Sequence, residues 1–375
     1  MIKESITLPG GELHLEIERS LYPLQELCTF ATRRNKKRSF LFVSKVLGKH
    51  YPARPGQSRA IYRQLAQGLG EVATPALFIS LAETAVALGQ GVFEGYLALH
   101  PGIPALFMHS TRYRAPRPLA LTFQESHSHA PQHWLYAPLD PKAQALWSQA
   151  RSLILVDDEL STGRTLAQLA RHYLQAHPQV EEIYLVSITD WLGPQRRAEL
   201  TEVFAPRRLK FINILQGAFH FEADPHFDCG PLVDVNPPAQ PLDLHLPLHW
   251  GRAGQTQALQ LDLEPLLAKL RCQPGQRLLV LGSGEFMYLP FLLAEALEQR
   301  GYSVHWQSTT RSPILLGAGI ASRLETKDNY GEGIANFLYN VHPQLYDRLF
   351  IAYEIPPVPE HDLPRQLPLE IVEFT

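Results

Sequence analysis

Residues 153–165, LILVDDELSTGRT, constrain the fold of this chain more than any other stretch. Four apolar residues lead into two adjacent carboxylates, Asp157 and Asp158, and a polar turn leads into a helical pattern from Thr165 onward. The apolar run predicts a buried parallel strand. A turn that opens a helix presents unpaired backbone N–H groups and the positive end of the helix dipole, so we expect this turn to bind a phosphate.

The side chains of the same loop suit a sugar phosphate. Hydroxyl groups at Ser161, Thr162 and Thr165 add donors, and Gly163 allows a close backbone approach. The acid pair suits hydroxyl donors such as those of a ribose. An ordinary helix cap is the alternative, but it needs one hydroxyl and explains neither the acid pair nor the glycine. We predict that the loop holds a ribose with a phosphate on its 5 position.

This loop resembles the 5-phosphoribosyl-1-pyrophosphate (PRPP) loop of the type I phosphoribosyltransferases, in its strand, paired acids, S-T-G turn and following hydroxyl. It departs from the family at Glu159, where a third acid either adjusts metal affinity or faces solvent. The resemblance implies that Asp157 and Asp158 are catalytic and hold Mg²⁺, with PRPP as co-substrate. It also implies that PRPP contacts Glu159, Leu160, Ser161, Thr162, Gly163, Arg164 and Thr165.

The composition narrows the class of protein. The 375 residues are enough for two domains, and an apolar content of 45% can supply their cores. A net charge of −3 argues against a nucleic-acid binder. No apolar run approaches a membrane span and the N-terminus lacks a signal-peptide pattern. Three widely spaced cysteines suit a reducing cytoplasm, which is the predicted location.

Proline placement predicts the domain organisation. The chain has 31 prolines, and they are densest in residues 231–248, which carry few helix or strand signals. We predict a phosphoribosyltransferase-like domain at 1–230, a proline-rich linker at 231–256 and a second domain at 257–375.

The first domain alternates predicted strands and helices. Residues 76–80 and 183–189 are apolar strand candidates, and residues 81–96 have a helical composition. Such alternation predicts a parallel sheet flanked by helices, with ligands at the carboxyl ends of its strands. The fold class is therefore α/β, with a second, smaller Rossmann-like α/β domain.

Two further loops follow from the resemblance. The segment that contacts pyrophosphate in the family corresponds to Ser80, Ala82 and Glu83, although its composition here is unusual. Residues 109–133 correspond to the mobile loop that closes over the substrate and excludes water. Its arginines, Arg112 and Arg114 among them, are suited to neutralise the departing pyrophosphate.

The histidines of that loop allow several interpretations. His127, His129 and His133 are spaced as metal ligands can be, with Glu125 nearby. The plainer interpretation is a polar loop whose histidines contact substrate or one another. A third interpretation is that one imidazole acts as a general acid.

A basic segment precedes the first predicted strand. Residues 33–38 hold five basic side chains, which is typical of a solvated face. The segment 32–52 also resembles the opening of one phosphoribosyltransferase branch, where it forms a hood over the PRPP site. On that resemblance, Lys49 is a phosphate ligand.

The second domain begins with a strand, a glycine turn, a helix and another strand across residues 277–313. The turn lacks the third glycine of a dinucleotide fingerprint and carries Glu285, which would repel a pyrophosphate, so we reject NAD. Strand ends here bring together a candidate anion site made of Gly282, Ser283, Gly284, Thr310, Arg311 and Ser312. The alternative is that Arg311 pairs with Glu285 or another acid and only fixes the domain.

The tetrapeptide Thr310-Arg311-Ser312-Pro313 matches the signature of the TRSP domain, which accompanies a phosphoribosyltransferase-like domain in tellurite-resistance-associated operons. The stretches FVSKVLGKHYP, FISLAETAVALGQGVFE and NFLYNVHPQLYD are similar to that family too. The resemblance runs from about Arg33 to Glu354.

We therefore expect a phosphoribosyltransferase that transfers a 5-phosphoribosyl group from PRPP to a base-like nitrogen acceptor. The resemblance implies magnesium, an unidentified base, a homodimer and association with other tellurite-resistance enzymes, with neither nucleic acid nor membrane as a partner. Two alternatives stay open: a regulatory module that binds PRPP or a nucleotide, and a phosphoribosyl hydrolase or phosphorylase.

Overall fold

The computed structural model of the chain describes residues 2–34, 38–124, 132–228, 230, 244–247 and 250–374. Across these ranges, no helix combines the length and the apolar character that a bilayer crossing requires.

The amino-terminal part of the chain is a layered α/β unit. Its helices are α1 (Leu24–Leu27), α2 (Pro55–Leu69), α3 (Val86–Leu99), α4 (Pro141–Gln149), α5 (Arg164–Ala176) and α6 (Gly193–Phe204). Its strands are β1 (Ile2–Leu8), β2 (Gly11–Ser20), β3 (Cys28–Thr32), β4 (Phe40–Ser44), β5 (Ala76–Ser80), β6 (Ala105–His109), β7 (Leu119–Gln124), β8 (Gln132–Tyr136), β9 (Ser152–Val156), β10 (Glu159–Leu160), β11 (Glu182–Asp190) and β12 (Arg208–Ala223).

The main sheet has the order β1-β2-β12-β11-β9-β5-β6, and β10 pairs with β11. Strands β12, β11, β9, β5 and β6 are parallel, whereas β2 and β1 run antiparallel at one edge. All five residues of β9 are buried, which explains the unbroken apolar run in the sequence. Ser80 is paired with Val156, so the loops that follow β5 and β9 start side by side.

These elements confirm the predicted fold class and its central strands. The helix predicted at 81–96 begins later, at Val86, because residues 81–85 form the turn that leaves β5. The β1–β2 hairpin was not predicted. Nor was the β7–β8 hairpin, which lies within and beyond the segment assigned to the mobile loop.

The carboxyl-terminal unit has a second parallel sheet of order β14-β13-β17-β18, with an antiparallel β15–β16 pair beside it. Its helices are α7 (Glu264–Leu270), α8 (Tyr288–Gln299) and α9 (Leu363–Gln366), with a 3₁₀ turn at Pro343–Leu345. Its strands are β13 (Arg277–Gly282), β14 (Ser303–Ser308), β15 (Arg323–Lys327), β16 (Ala335–Tyr339), β17 (Arg348–Ala352) and β18 (Leu369–Val372).

One apolar core runs through both units. Helices α2 and α8 pack together, with the rings of Tyr62 and Phe291 centred 5.3 Å apart. At the rim of this contact, both the Nε and Nη2 atoms of Arg59 donate to the carboxylate of Glu295, each at 2.7 Å. Apolar burial of this extent makes the two units one packed body.

Part of the predicted linker is tied to the main sheet. Gln255 exchanges backbone hydrogen bonds with Phe107 of β6, and the carbonyl of Gly251 accepts from the N–H of His109. Residues 231–243 and 248–249 lie outside the described residues, so the domain boundaries stay a prediction.

Candidate active site

A cleft of about 190 Å³ lies at the carboxyl ends of β5 and β9. Segments from both units form its walls. Its lining residues include Arg33, Arg38, Leu41, Phe42, His50, Ala82, Glu83, Thr84, Arg112, residues 157–166, Thr310, Arg311 and Ser312.

The acid pair forms the floor of the cleft. The carboxylate of Asp157 accepts a hydrogen bond from the backbone N–H of Asp158 at 3.0 Å. The hydroxyl of Thr84 donates to Oδ1 of Asp158 at 2.7 Å, which ties the loop after β5 to the loop after β9. Two carboxylates are thus held at a position where ribose hydroxyls can donate to them.

The amino end of α5 faces the same cleft. Gly163 is its N-cap residue with a φ of 65°, and within the described residues the cap carries no side-chain hydrogen bond. A Cβ atom at Gly163 would lie 3.0 Å from Cδ1 of Leu200, so both the backbone angle and the space favour glycine. The first-turn N–H groups and the helix dipole are features that favour an anion, so the predicted phosphate position stays a prediction.

Glu159 faces the hood instead of solvent. Nη2 of Arg38 donates to its Oε1 at 2.5 Å, and Nη1 of the same guanidinium donates to the hydroxyl of Ser161 at 3.4 Å. Burial raises the pKa of Glu159 and Asp158 raises it further, although Arg38 acts in the opposite direction. The ion pair fastens the hood to the loop.

Two predicted phosphate ligands stand outside the cleft wall. Ser80 is fully buried beneath the turn. Lys49 is also fully buried. Its ammonium group donates to the carbonyl of Gly284 at 2.6 Å and pairs with Glu83 at 2.7 Å. The prediction that Lys49 contacts phosphate is corrected accordingly: its charge is engaged at the junction of the two units.

Ala82 and Glu83 do line the cleft, at the start of the turn that leaves β5. Burial would raise the pKa of Glu83, but Lys49 and, more weakly, Arg311 lower it below its usual value. The carboxylate therefore stays ionised between two buried cations.

Of the predicted closing loop, Arg112 lines the cleft and Arg114 does not. Glu125, His127 and His129 lie outside the described residues. His133 is buried, shares a hydrogen bond of 2.9 Å with the hydroxyl of Ser110 and stacks on Phe123.

The candidate anion site of the carboxyl-terminal unit divides into two parts. Thr310, Arg311 and Ser312 line the main cleft. Gly282, Ser283 and Gly284 do not, because the Gly284 carbonyl accepts from Lys49 and Ser308, and the hydroxyl of Ser283 is bonded to Asn329. Arg311 pairs with Glu332, which is the pairing with another acid that the alternative interpretation allowed. The glycine turn is engaged in contacts within the protein, whereas the strand end after β14 lines the cleft.

Glu285 is held by three groups. Its carboxylate accepts from the Thr111 hydroxyl at 2.5 Å, from the N–H of Arg112 at 2.6 Å and from Arg252 at 3.1 Å. It thereby fixes the start of the loop that carries Arg112.

The hood supplies the lining residues that sequence reasoning did not single out: Arg33, Leu41, Phe42 and His50. Phe42 stacks on Trp191 with ring centres 4.9 Å apart. Burial and the nearby Lys49 lower the pKa of His50 to about 3, so its imidazole is neutral. The resemblance had marked segment 32–52 as a hood, but only the packing of β3 and β4 shows which side chains reach the cleft.

Comparison with known families decides the identity of the chain. The family model described as phosphoribosyl transferase matches residues 27–218, just over half of the sequence. The chain belongs to the phosphoribosyl transferase family. A second family model, the TRSP domain C-terminal to that transferase domain, matches residues 250–367. A comparison with curated proteins gave no match.

Several solved structures of phosphoribosyltransferases are similar to part of this chain. The adenine enzyme of Giardia lamblia, complexed with 9-deazaadenine, has 15% identity and a TM-score of 0.34, covering 52% of this chain and 97% of its own. The adenine enzyme of Trypanosoma brucei has 10% identity and a TM-score of 0.36, covering 57% and 87%. A hypoxanthine-guanine enzyme of Bacillus anthracis has 14% identity and a TM-score of 0.24, covering 38% and 70%.

The cleft of this phosphoribosyltransferase holds two carboxylates of the kind that bind magnesium. Among the described residues, no group of three or more His, Cys, Asp or Glu side chains could hold a metal. Magnesium is usually bound by one or two carboxylates together with substrate phosphates and water. Asp157 and Asp158 are the carboxylates that would hold it here.

Proposed function

We propose that the protein transfers a 5-phosphoribosyl group from PRPP to a base-like nitrogen acceptor and releases pyrophosphate. The observation that carries this proposal is that an acid pair, Asp157 and Asp158, adjoins the amino end of α5 in one cleft.

Each part of the cleft has a role in this reaction. The residues from Ser161 to Thr165 hold the 5-phosphate through backbone N–H groups and hydroxyls. Asp157 and Asp158 hold the ribose hydroxyls and stabilise the positive charge that develops on the ring in the transition state. The acceptor nitrogen bonds to C1 of the ribose as the bond from C1 to the pyrophosphate oxygen breaks. The proton of that nitrogen passes to solvent or to the leaving group.

The leaving group departs toward the loops after β5 and β6. Ala82, Glu83 and Thr84 form the first of these loops, and Arg112 contributes a guanidinium from the second. Magnesium, when bound with PRPP, would neutralise part of the pyrophosphate charge. The arginines of this wall would neutralise the rest of the pyrophosphate charge.

The acceptor is assigned to the side of the cleft under the hood. Phe42 and Leu41 offer an apolar surface, and the neutral ring of His50 offers a hydrogen-bonding group. The resemblance to tellurite-resistance-associated proteins extends the proposal to a nucleotide-like metabolite, made in the cytoplasm by a homodimer or together with neighbouring enzymes.

The test is turnover with PRPP, magnesium and a panel of nitrogen bases, followed by pyrophosphate release and by mass spectrometry of the product. We expect an acceptor-dependent product and a loss of at least about a hundredfold in the Asp157→Asn, Asp158→Asn double variant. The Asp262→Asn variant, at an exposed site outside the cleft, is the control.

Other outcomes separate the alternatives. Ribose 5-phosphate formed without any acceptor would indicate a hydrolase, and acceptor-independent binding with no chemistry would indicate a regulatory module. Unchanged turnover in the double variant would contradict the roles assigned to the two carboxylates.

A further inference from the structure

Arg311 occupies an unusual position for a residue of the carboxyl-terminal unit. It follows β14, yet it lines the cleft that the phosphoribosyltransferase sheet creates. Its side chain is only 5% exposed. A buried guanidinium in a substrate cleft calls for a partner, because an unpaired buried charge is costly.

The contacts of Arg311 engage one nitrogen and one face of its guanidinium. Nη2 donates to the carboxylate of Glu332, and the group lies over the ring of Tyr113, 4.5 Å from its centre. Nε and Nη1 are buried and have no hydrogen-bond partner among the described residues. Nε and Nη1 lie on either side of the Cδ atom, so each can donate to a separate acceptor.

The support behind Arg311 is rigid. Five backbone N–H groups of residues 330–334 donate to the carboxylate of Asp328, at 2.7 to 3.2 Å, which fixes the loop that carries Glu332. Thr310 exchanges two backbone hydrogen bonds with Phe337 of β16. Both the guanidinium and its counter-ion are thus preorganised.

Three neighbours locate Arg311 along the cleft. Tyr113, beneath it, directly follows Arg112 in the chain. Glu83, whose pKa Arg311 helps to lower, belongs to the loop after β5. Arg311 is therefore on the wall formed by the loops after β5 and β6, toward which the proposed leaving group departs. The proposed 5-phosphate site is the amino end of α5, which follows β9.

We propose that Arg311 of the carboxyl-terminal unit binds the pyrophosphate group of PRPP, so that the donor site is complete only when both units are present. This proposal rests on the proposed function. Nε and Nη1 can each donate one charge-assisted hydrogen bond to a phosphate oxygen. Arg311 and Arg112 together would hold the leaving group from two sides.

The experiment is calorimetric titration of the full chain with three probes in the presence of magnesium: PRPP, pyrophosphate and ribose 5-phosphate. In Arg311→Met we expect the affinity for PRPP and pyrophosphate to fall by about tenfold or more, with ribose 5-phosphate affinity within about twofold of wild type. Arg311→Lys should recover part of the loss, since it restores the positive charge but not the Nε and Nη1 donors. Arg323→Met, in the same unit but outside the cleft, is the matched control.

A second variant leaves Arg311 in place. Glu332→Gln removes the charge that neutralises it, so we expect pyrophosphate to bind several-fold more tightly while ribose 5-phosphate binding is unchanged. This arm keeps the proposal testable if Arg311→Met does not fold.

Different results would overturn the role of Arg311 and the proposed function. Equal weakening of all three probes in folded Arg311→Met, or unchanged pyrophosphate affinity in both Arg311→Met and Glu332→Gln, would overturn the role of Arg311. A wild-type chain that binds none of the three probes would overturn the proposed function itself.

Discussion

Gly163 shows how a single residue couples local backbone geometry to the shape of the cleft. It has a left-handed φ of 65° at the junction between the acid pair and α5. A Cβ atom at this position would approach Leu200 to 3.0 Å. Any side chain here would therefore disturb the turn whose N–H groups face the cleft.

We predict that Gly163→Ala lowers PRPP affinity and costs about 1–2 kcal/mol of stability, because alanine is strained at this φ and meets Leu200. Gly70→Ala is the control for PRPP affinity: its φ is also positive, at 60°, a Cβ atom there meets nothing within 4 Å, and Gly70 is outside the cleft. Titration with PRPP and thermal unfolding measure both effects. Equal PRPP affinity in the two variants would contradict a special role for the turn.

At this scale the sequence predicted local features well and long-range partners poorly. Residues 157–165 all line the cleft as expected, because one continuous turn places them. Lys49 and Ser80 were misassigned, since a cation or hydroxyl near a predicted site can equally be buried by packing. The partner of Lys49, the Gly284 carbonyl, is 235 residues away and leaves no trace in the local sequence.

At the scale of elements, parallel register decides where the site forms. The pairing of Ser80 with Val156 starts two functional loops side by side. Glu182 fixes the opposite ends of these strands. Its carboxylate accepts from Arg208 at 2.6 Å, from the N–H of Ala73 at 3.0 Å and from the hydroxyl of Ser152 at 3.2 Å.

The pH dependence of stability should reflect this anchor. Burial would raise the pKa of Glu182, but the Ala73 N–H and Arg208 outweigh it and lower the pKa from 4.5 to about 2. Its contribution is therefore complete above about pH 4.5 and is lost as the pH falls toward 2.

We predict that Glu182→Gln lowers the free energy of unfolding by about 1–3 kcal/mol at neutral pH, and that this difference shrinks on acidification. Glu181→Gln is the control, because the exposed pair of Glu181 with Arg151 contributes little. Urea unfolding from pH 7 to pH 3 measures both. A Glu182→Gln deficit that stays constant with pH would contradict the assigned anchor.

The elements that the sequence missed share a physical reason. The β1–β2 and β7–β8 hairpins are antiparallel and peripheral, so their strands are only partly buried and lack the continuous apolar runs that mark β5 and β9. Alternation in such strands is a weaker signal than a fully apolar run.

At the scale of the whole molecule, the two units behave as one body around one cleft. Arg59 joins α2 to Glu295 of α8, and Arg252, 2% exposed, pairs with Glu285 and Glu354. The sequence predicted a transferase unit and a TRSP unit, both of which the family comparison supports. It could not predict that they share a cleft, because that depends on packing between residues far apart in the chain.

The central claim is that this shared cleft binds PRPP. The most direct measurement is calorimetric titration of the purified full chain with PRPP, with and without magnesium, for wild type and the Asp157→Asn, Asp158→Asn variant. The account predicts one magnesium-dependent site per chain that is lost in the variant while the thermal unfolding transition is retained. No binding to the wild type, or equal binding to the variant, would contradict it.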